Sequence, residues 1–179
     1  EEYLNKKMDA NLEKIRDARI LKELWNYDRI WINGRSYRNL KELGRLFDHN
    51  ALRTLFAARC ADPGVFVLRD KKGVAIGDIG LRISSKNPHE ADVGYALIPE
   101  AQGQGYASEA LRAICDYGFS QLGVNAINAW VLGDNIGSAR LLEKHGFVRI
   151  QVLEKAYHLN GVDYDDWVLS LIHISEPTR

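Results

Sequence analysis

The chain has 179 residues, enough for one α/β domain with its own hydrophobic core. Its 24 lysines and arginines balance its 24 aspartates and glutamates, so the formal net charge is zero and a nucleic-acid partner is not expected. No apolar run is long enough to span a membrane and no signal peptide opens the sequence, so we expect a cytoplasmic protein without a membrane partner.

The first third of the chain is predicted to be mainly helical. Apolar residues recur at helical spacing over residues 12–25 and again over about 39–60. Between these two segments, residues 29–32 meet Asn33-Gly34, a dipeptide typical of turns.

A hairpin and a further strand are predicted next. Asp62-Pro63-Gly64 should end the preceding helix. The apolar runs at 65–68 and 74–83, separated by a polar turn at 70–73, predict two antiparallel strands. After a polar loop at 84–90, residues 92–98 predict another strand, which Pro99 closes.

A glycine-rich turn follows that strand, in the sequence Q-G-Q-G-Y-A-S at residues 102–108. It leads into a helical pattern whose apolar positions are Leu111, Ile114, Cys115, Phe119 and Leu122. A turn of this kind leaves backbone N–H groups pointing outward at the positive end of the helix dipole, which suits a phosphate or pyrophosphate. Glycine is also common in an ordinary strand–turn–helix connection, so the turn alone does not decide between the two.

Cysteine and histidine usage predicts no metal site. The two cysteines form no C-x-x-C motif, and the five histidines lack metal-ligand spacing. Cys115 falls on the apolar face of its predicted helix, which favours a buried and unreactive thiol.

The rest of the chain predicts a strand at 126–132, a short helix at 139–145, and an antiparallel pair at 147–153 and 165–171 around Asn160-Gly161.

Across residues 65–168 the ordered motifs resemble those of the GNAT superfamily of acetyl-CoA-dependent N-acetyltransferases. The branch they most resemble contains the ribosomal-protein alanine acetyltransferases and the polyamine acetyltransferases. The motifs are V-G-Y at 93–95, Q-G-Q-G-Y-A at 102–107, N-x-x-S at 135–138, E-K-H-G-F at 143–147 and N-G-V-D-Y-D-D at 160–166.

This resemblance implies a fold and a function. The fold is a single α/β GNAT-type domain over residues 1–168, with a mixed, mostly antiparallel sheet flanked by helices, a splayed strand and a pyrophosphate-binding turn. The implied partners are acetyl-CoA and an amine acceptor, for which a protein N-terminal amine is favoured over a polyamine or another small amine. A non-catalytic module that binds CoA, and a purely structural domain, remain as alternatives. The chain is expected to be a monomer or a homodimer.

The resemblance also assigns residues. Those expected to bind the CoA donor are Leu97, Ile98, Gln102, Gly103, Gln104, Gly105, Tyr106, Ala107, Ser108 and Asn135. Ser138 replaces the tyrosine by which many relatives protonate the leaving thiolate, although a serine there is also an ordinary residue for a helix start. Tyr157 occupies a late-strand position where some relatives place a glutamate base, and His158, Glu154, Asp92 and a water remain candidates for that role. Trp31, Tyr37 and Asp92 are expected to border the acceptor.

The last eleven residues, 169–179, resemble the translation of a sequencing adaptor and are expected to be an artefactual tail. Their pattern would nevertheless allow residues 169–172 to complete the last strand. We expect no catalytic group among them.

Overall fold

The computed structural model describes residues 64–159 and 161–174 and, earlier in the chain, three short strands. The strands are β1 (Glu13–Lys14), β2 (Ile30–Ile32), β3 (Arg35–Tyr37), β4 (Val65–Arg69), β5 (Ala75–Ile83), β6 (Glu90–Leu97), β7 (Ala126–Leu132), β8 (Val148–Leu159) and β9 (Val162–Ile172). The helices are α1 (Tyr106–Ser120) and α2 (Ile136–Lys144), and a 3₁₀ turn at Pro99–Ala101 follows β6.

The strands form one large sheet in the order β1-β4-β5-β6-β7-β9-β8, while β2 and β3 form a separate hairpin. β6 and β7 run parallel, because α1 carries the chain back across the sheet between them. The pairs β1–β4, β4–β5, β7–β9 and β8–β9 are antiparallel. The predicted mixed, mostly antiparallel sheet with flanking helices is therefore confirmed.

The chain forms two compact units. The first takes in the chain up to Gly80 together with Tyr95–Ala113. Within it, four successive residues of β4, the run at 65–68, are buried, which indicates that both faces of this strand are covered. β5 and the end of β6 lie close together, since a side chain at Gly77 would collide with the Ala96 carbonyl oxygen.

The second unit comprises Leu81–Gly94 and Ile114–Arg179. Its core holds fully buried aliphatic side chains from both helices and from β7 and β9, namely Ile114, Ile127, Leu142 and Leu169. Gly118 lets α1 approach the sheet, because a Cβ there would stand 2.9 Å from Leu81 Cδ2 and Ile127 Cδ1. The prediction that the Cys115 thiol is buried is confirmed, and this burial raises its pKa to about 12.

Some predicted boundaries change. Glu13–Lys14 forms a strand paired with β4, so the prediction of a helix from residue 12 is wrong at these two residues. Their apolar neighbours fit a helical period, but pairing with β4 is a long-range interaction that the period cannot report. Asn33-Gly34, where a turn is predicted, lies outside the described residues, and the strands on either side of it, β2 and β3, pair with each other. The predicted helix at 39–60 lies outside the described residues.

The C-terminal strands are longer than predicted. β8 covers 12 residues and β9 covers 11, and β9 runs through residues 169–172, so the prediction that these residues complete the last strand is confirmed. α2 begins at Ile136 rather than at Ala139. In the part of the chain that is described, no helix has the length and apolarity to cross a membrane.

Candidate acetyl-donor and acceptor site

The glycine-rich turn between β6 and α1 has the backbone that its sequence predicts. Gly103 and Gly105 have φ values of +72° and +87°, a left-handed conformation that costs other residues about 1–2 kcal/mol. Among the described residues, and apart from the two chain neighbours of each glycine, no atom lies within 4 Å of the position of a Cβ at Gly103 or Gly105. These glycines are therefore needed for the path of the backbone, and they leave open space beside it.

Side chains hold this turn against the strand before it. Gln102 donates from Nε2 to the Leu97 carbonyl at 3.1 Å, and Gln104 donates from Nε2 to the Glu100 carbonyl at 2.6 Å. The α-helical bonding of α1 starts with the Glu109 N–H, which donates to the Gly105 carbonyl at 3.1 Å. The helix geometry leaves the earlier N–H groups without an acceptor inside the helix, so the amides of Tyr106 and Ala107 lie at the turn, where an anion would be favoured.

β6 departs from its parallel neighbour before it reaches the turn. Among the described residues, its register with β7 covers only the four pairs from Glu90↔Ala126 to Val93↔Ala129, although β6 continues to Leu97. This is the splayed strand that the sequence predicts.

Leu97 and Ile98, two of the residues expected to bind the CoA donor, already make intramolecular main-chain hydrogen bonds. The Leu97 carbonyl accepts from Gln102, and the Ile98 N–H donates to the Ile76 carbonyl at 2.9 Å. The Leu97 side chain is buried, as expected of a core residue.

Asn135 and Ser138 lie together at the start of α2, in the second unit. The Asn135 side-chain carbonyl accepts from the Ser138 backbone N–H at 3.2 Å, which makes Asn135 the N-cap of this helix. Ser138 is thus the third residue inside the helix. The sequence allowed an ordinary place at the helix start as the alternative to a catalytic role for Ser138. In the structure the residue that caps this helix is Asn135.

Asp92 belongs to a polar group on one face of β6 and β7. Its half-buried carboxylate forms a hydrogen bond with the Trp130 side chain, and burial raises its pKa, with nearby Glu90 acting in the same direction. Glu90 accepts from Asn128 Nδ2 at 3.0 Å. Trp130 is half exposed at 50%, so this face presents an aromatic ring beside carboxylates.

The remaining candidates are only partly described. Trp31 and Tyr37 lie in β2 and β3, and Tyr157 lies in β8 opposite Tyr164, but the side chains of all three are outside the described part of the chain. His158 is exposed, and its Nδ1 lies 2.7 Å from Asp163 Oδ1. Among the described residues, no three His, Cys, Asp or Glu side chains form a group that could hold a metal ion.

Sequence analysis missed one acidic residue of this unit. Asp166 is only 5% exposed, and burial raises the pKa of its carboxyl group. Within the described part of the chain, its Oδ1 has no hydrogen-bond partner. The signal in the sequence is an aspartate directly before a nearly apolar run, W-V-L-S-L-I at 167–172.

The glycine turn, the splayed strand and the mixed sheet are together those expected of an acetyltransferase (GNAT) domain. The sequence profile of the acetyltransferase (GNAT) domain matches residues 12–148, and the chain belongs to this family.

Individual relatives agree with this assignment. The chain is 41% identical over 104 residues to the uncharacterized N-acetyltransferase YoaA of Bacillus subtilis (strain 168). This aligned stretch covers 58% of each protein. It is 29% identical over 96 residues to a spermidine N(1)-acetyltransferase of Vibrio cholerae serotype O1, covering 54% of this chain and 56% of that one. The chain thus spans little more than half the length of these relatives.

A solved structure shows the same fold over a longer stretch. The spermidine/spermine N-acetyltransferase SpeG from Vibrio cholerae superimposes with a TM-score of 0.68 and 24% identity, covering 92% of this chain and 94% of that one. At this identity the likeness concerns the fold.

Proposed function

We propose that this chain transfers an acetyl group from acetyl-CoA to a primary amine, with a protein N-terminal α-amine as the favoured acceptor. The observation that carries the proposal is the open glycine turn at the start of α1, directly after a strand that has left its neighbour, in a chain of the GNAT family. A turn of this kind suits a pyrophosphate, and the exposed edge of a splayed strand suits an extended ligand that adds to it.

The residues of the turn fit the donor. Gly103 and Gly105 leave room for phosphate oxygens beside the main chain, and the first amides of α1 are the donors that such oxygens need. Gln102 keeps the turn attached to the end of β6. Because the Leu97 carbonyl and the Ile98 N–H have intramolecular partners, the pantetheine arm would use other main-chain groups of this segment.

In this proposal Ser138 protonates the departing thiolate and Asn135 orients the thioester. The hydroxyl of a serine can donate a proton or a hydrogen bond to sulfur. Asn135 uses its carbonyl oxygen in the helix cap, which leaves its NH₂ group as the donor that a pantetheine carbonyl would accept from.

The choice of acceptor rests on the cost of deprotonation. A lysine-like amine with a pKa of about 10.4 costs roughly 4 kcal/mol to deprotonate near pH 7.4, whereas an α-amine with a pKa of about 8 costs less than about 1 kcal/mol. A polyamine is the second candidate, and the similarity to a spermidine N(1)-acetyltransferase favours it.

Calorimetry with acetyl-CoA, followed by thiol release against a panel of amines, tests the proposal. The panel pairs peptides that carry a free α-amine with the same peptides blocked at that amine, and adds spermidine. We expect binding of acetyl-CoA and release of thiol with the free peptides only. Thiol release with spermidine alone would select the second candidate. Binding without turnover would indicate a non-catalytic CoA-binding module, and absence of binding would overturn the proposal.

A further inference from the structure

One oxygen of a buried carboxyl group in the second unit has no hydrogen-bond partner among the described residues. Asp166 is 5% exposed, its carboxylate accepts a hydrogen bond from the Trp167 backbone N–H, and its Oδ1 has no partner among the described residues. A buried polar atom without a partner costs about 1–3 kcal/mol, so such groups call for an explanation. A ligand that donates a hydrogen bond to Oδ1 would provide one.

Strand register gives the position of this carboxyl group. Asp166 lies opposite Leu132, the last residue of β7, and opposite Leu153 on β8. The Leu132 carbonyl accepts from the Asn135 N–H at 2.8 Å, at the turn that leads into α2. Asp166 is therefore across from the strand end that Asn135 and Ser138 follow.

The same face of the sheet carries a half-exposed aromatic ring near Asp166. Residues that pair across neighbouring strands share a face, so Trp130 opposite Val168 lies on the face of Asp166, one diagonal step away. The indole of Trp130 is half exposed and forms a hydrogen bond with Asp92. An aromatic ring beside a carboxylate attracts an alkylammonium ion.

We propose that Asp166 is the catalytic base that deprotonates the acceptor amine, an inference that rests on the proposed acetyl transfer. The acceptor arrives as an alkylammonium ion over Trp130, and Asp166 Oδ1 takes one of its protons. The freed electron pair of nitrogen attacks the thioester carbonyl carbon, and the C–S bond then breaks. Ser138 gives its hydroxyl proton to the departing thiolate and takes the second proton of nitrogen, so that amide and CoA thiol form, and Asp166 returns its proton to solvent.

The test compares two amines on the Asp166→Asn variant, which keeps the size of the side chain but cannot take a proton. The value of kcat/KM should fall by roughly 10²–10⁴-fold with spermidine, and by less with a peptide α-amine, because deprotonating that amine costs less than about 1 kcal/mol. With hydroxylamine, which is neutral in the assay, it should be nearly unchanged. The matched control is Asp116→Asn, an exposed carboxylate of α1, which should leave both rates unchanged.

Every outcome bears on the inference. An equal loss with both amines, or no loss with either, would overturn the base role of Asp166. If the asparagine variant lacks a cooperative thermal transition, Asp166→Ala with added formate replaces it, and failure of formate to restore turnover of the basic amine overturns the role. A wild-type protein that binds acetyl-CoA but acetylates no amine overturns the proposed function itself, and the inference with it.

Discussion

At the scale of single residues, one of two neighbouring polar side chains, Asn135, caps the helix α2. The N-x-x-S spacing at 135–138 places a capping acceptor three residues before a backbone N–H, and the 3.2 Å bond from the Ser138 amide to Asn135 Oδ1 uses it. The Ser138 hydroxyl is not the group that makes this cap. Substitutions can therefore separate the stability of α2 from the proposed chemistry.

Ser138→Ala should lower kcat by roughly 10²–10⁴-fold while the cap of α2 is kept, because it removes the proposed proton donor and leaves the Ser138 backbone N–H in place. Asn135→Ala should instead lower the free energy of unfolding by about 0.5–2 kcal/mol through loss of the cap. Both quantities are measured on the same preparations, by thermal unfolding and by thiol release.

Asn135→Asp is the control for these two variants. A carboxylate keeps the capping acceptor and removes the NH₂ donor, so stability should be retained while the KM for acetyl-CoA rises. Unchanged turnover in Ser138→Ala would show that Ser138 has no part in the reaction.

At the scale of elements, the turn before α1 depends on backbone geometry that only glycine adopts at low cost. Gly73, in the hairpin between β4 and β5, has nearly the same φ as Gly105, +81° against +87°, and equally open surroundings. The two positions therefore share their conformational strain and differ in the function proposed for them.

Gly105→Ala and Gly73→Ala should each cost about 1–2 kcal/mol of stability, because both force a side chain into the left-handed region. Only Gly105→Ala should also weaken acetyl-CoA binding, since its methyl group would occupy the space proposed for the pyrophosphate. Calorimetry on the two variants and the wild type measures this difference. Equal affinities for acetyl-CoA in all three proteins would contradict the assignment of the turn.

At the scale of the whole molecule, the last strand contributes to the second unit's core. Leu169 is fully buried and pairs with Ala129, and the His173 N–H donates to the Asn125 carbonyl at 2.8 Å. An apolar run that follows a strand can extend its ladder whatever its origin, because the ladder is made by main-chain groups. The prediction that residues 169–179 are an artefactual tail is independent of this packing and stays a prediction.

Truncation after Val168 should lower the thermal midpoint strongly or abolish folding, because β7 loses its pairing with residues 169–172 and the core loses Leu169. Truncation after Ile174 is the matched control and should change the midpoint little. Acetyl-CoA affinity and turnover should be kept wherever the shorter chain folds. A folded truncation after Val168 that binds acetyl-CoA but has no turnover would show that the removed segment carries a catalytic group.

The sequence alone predicted the order of elements from β4 onward, the glycine turn and the family, because each depends on local spacing or on short motifs. The alternation and apolar runs of β4, β5 and β7, and the helical period of α1, are visible within a few residues of each position. The left-handed glycines of the turn are equally local, since they follow from the backbone path of a tight connection.

The tertiary structure decided what depends on pairing between distant segments. The strand β1 exists because β4 pairs with it, and no local period could reveal that. Asn135 rather than Ser138 caps α2, because the helix begins at Ile136. The burial of Asp166 follows from its register with Leu132 and Leu153, and these neighbours are brought to it by two different strands. Its carboxyl group therefore becomes a candidate base only once the sheet has formed.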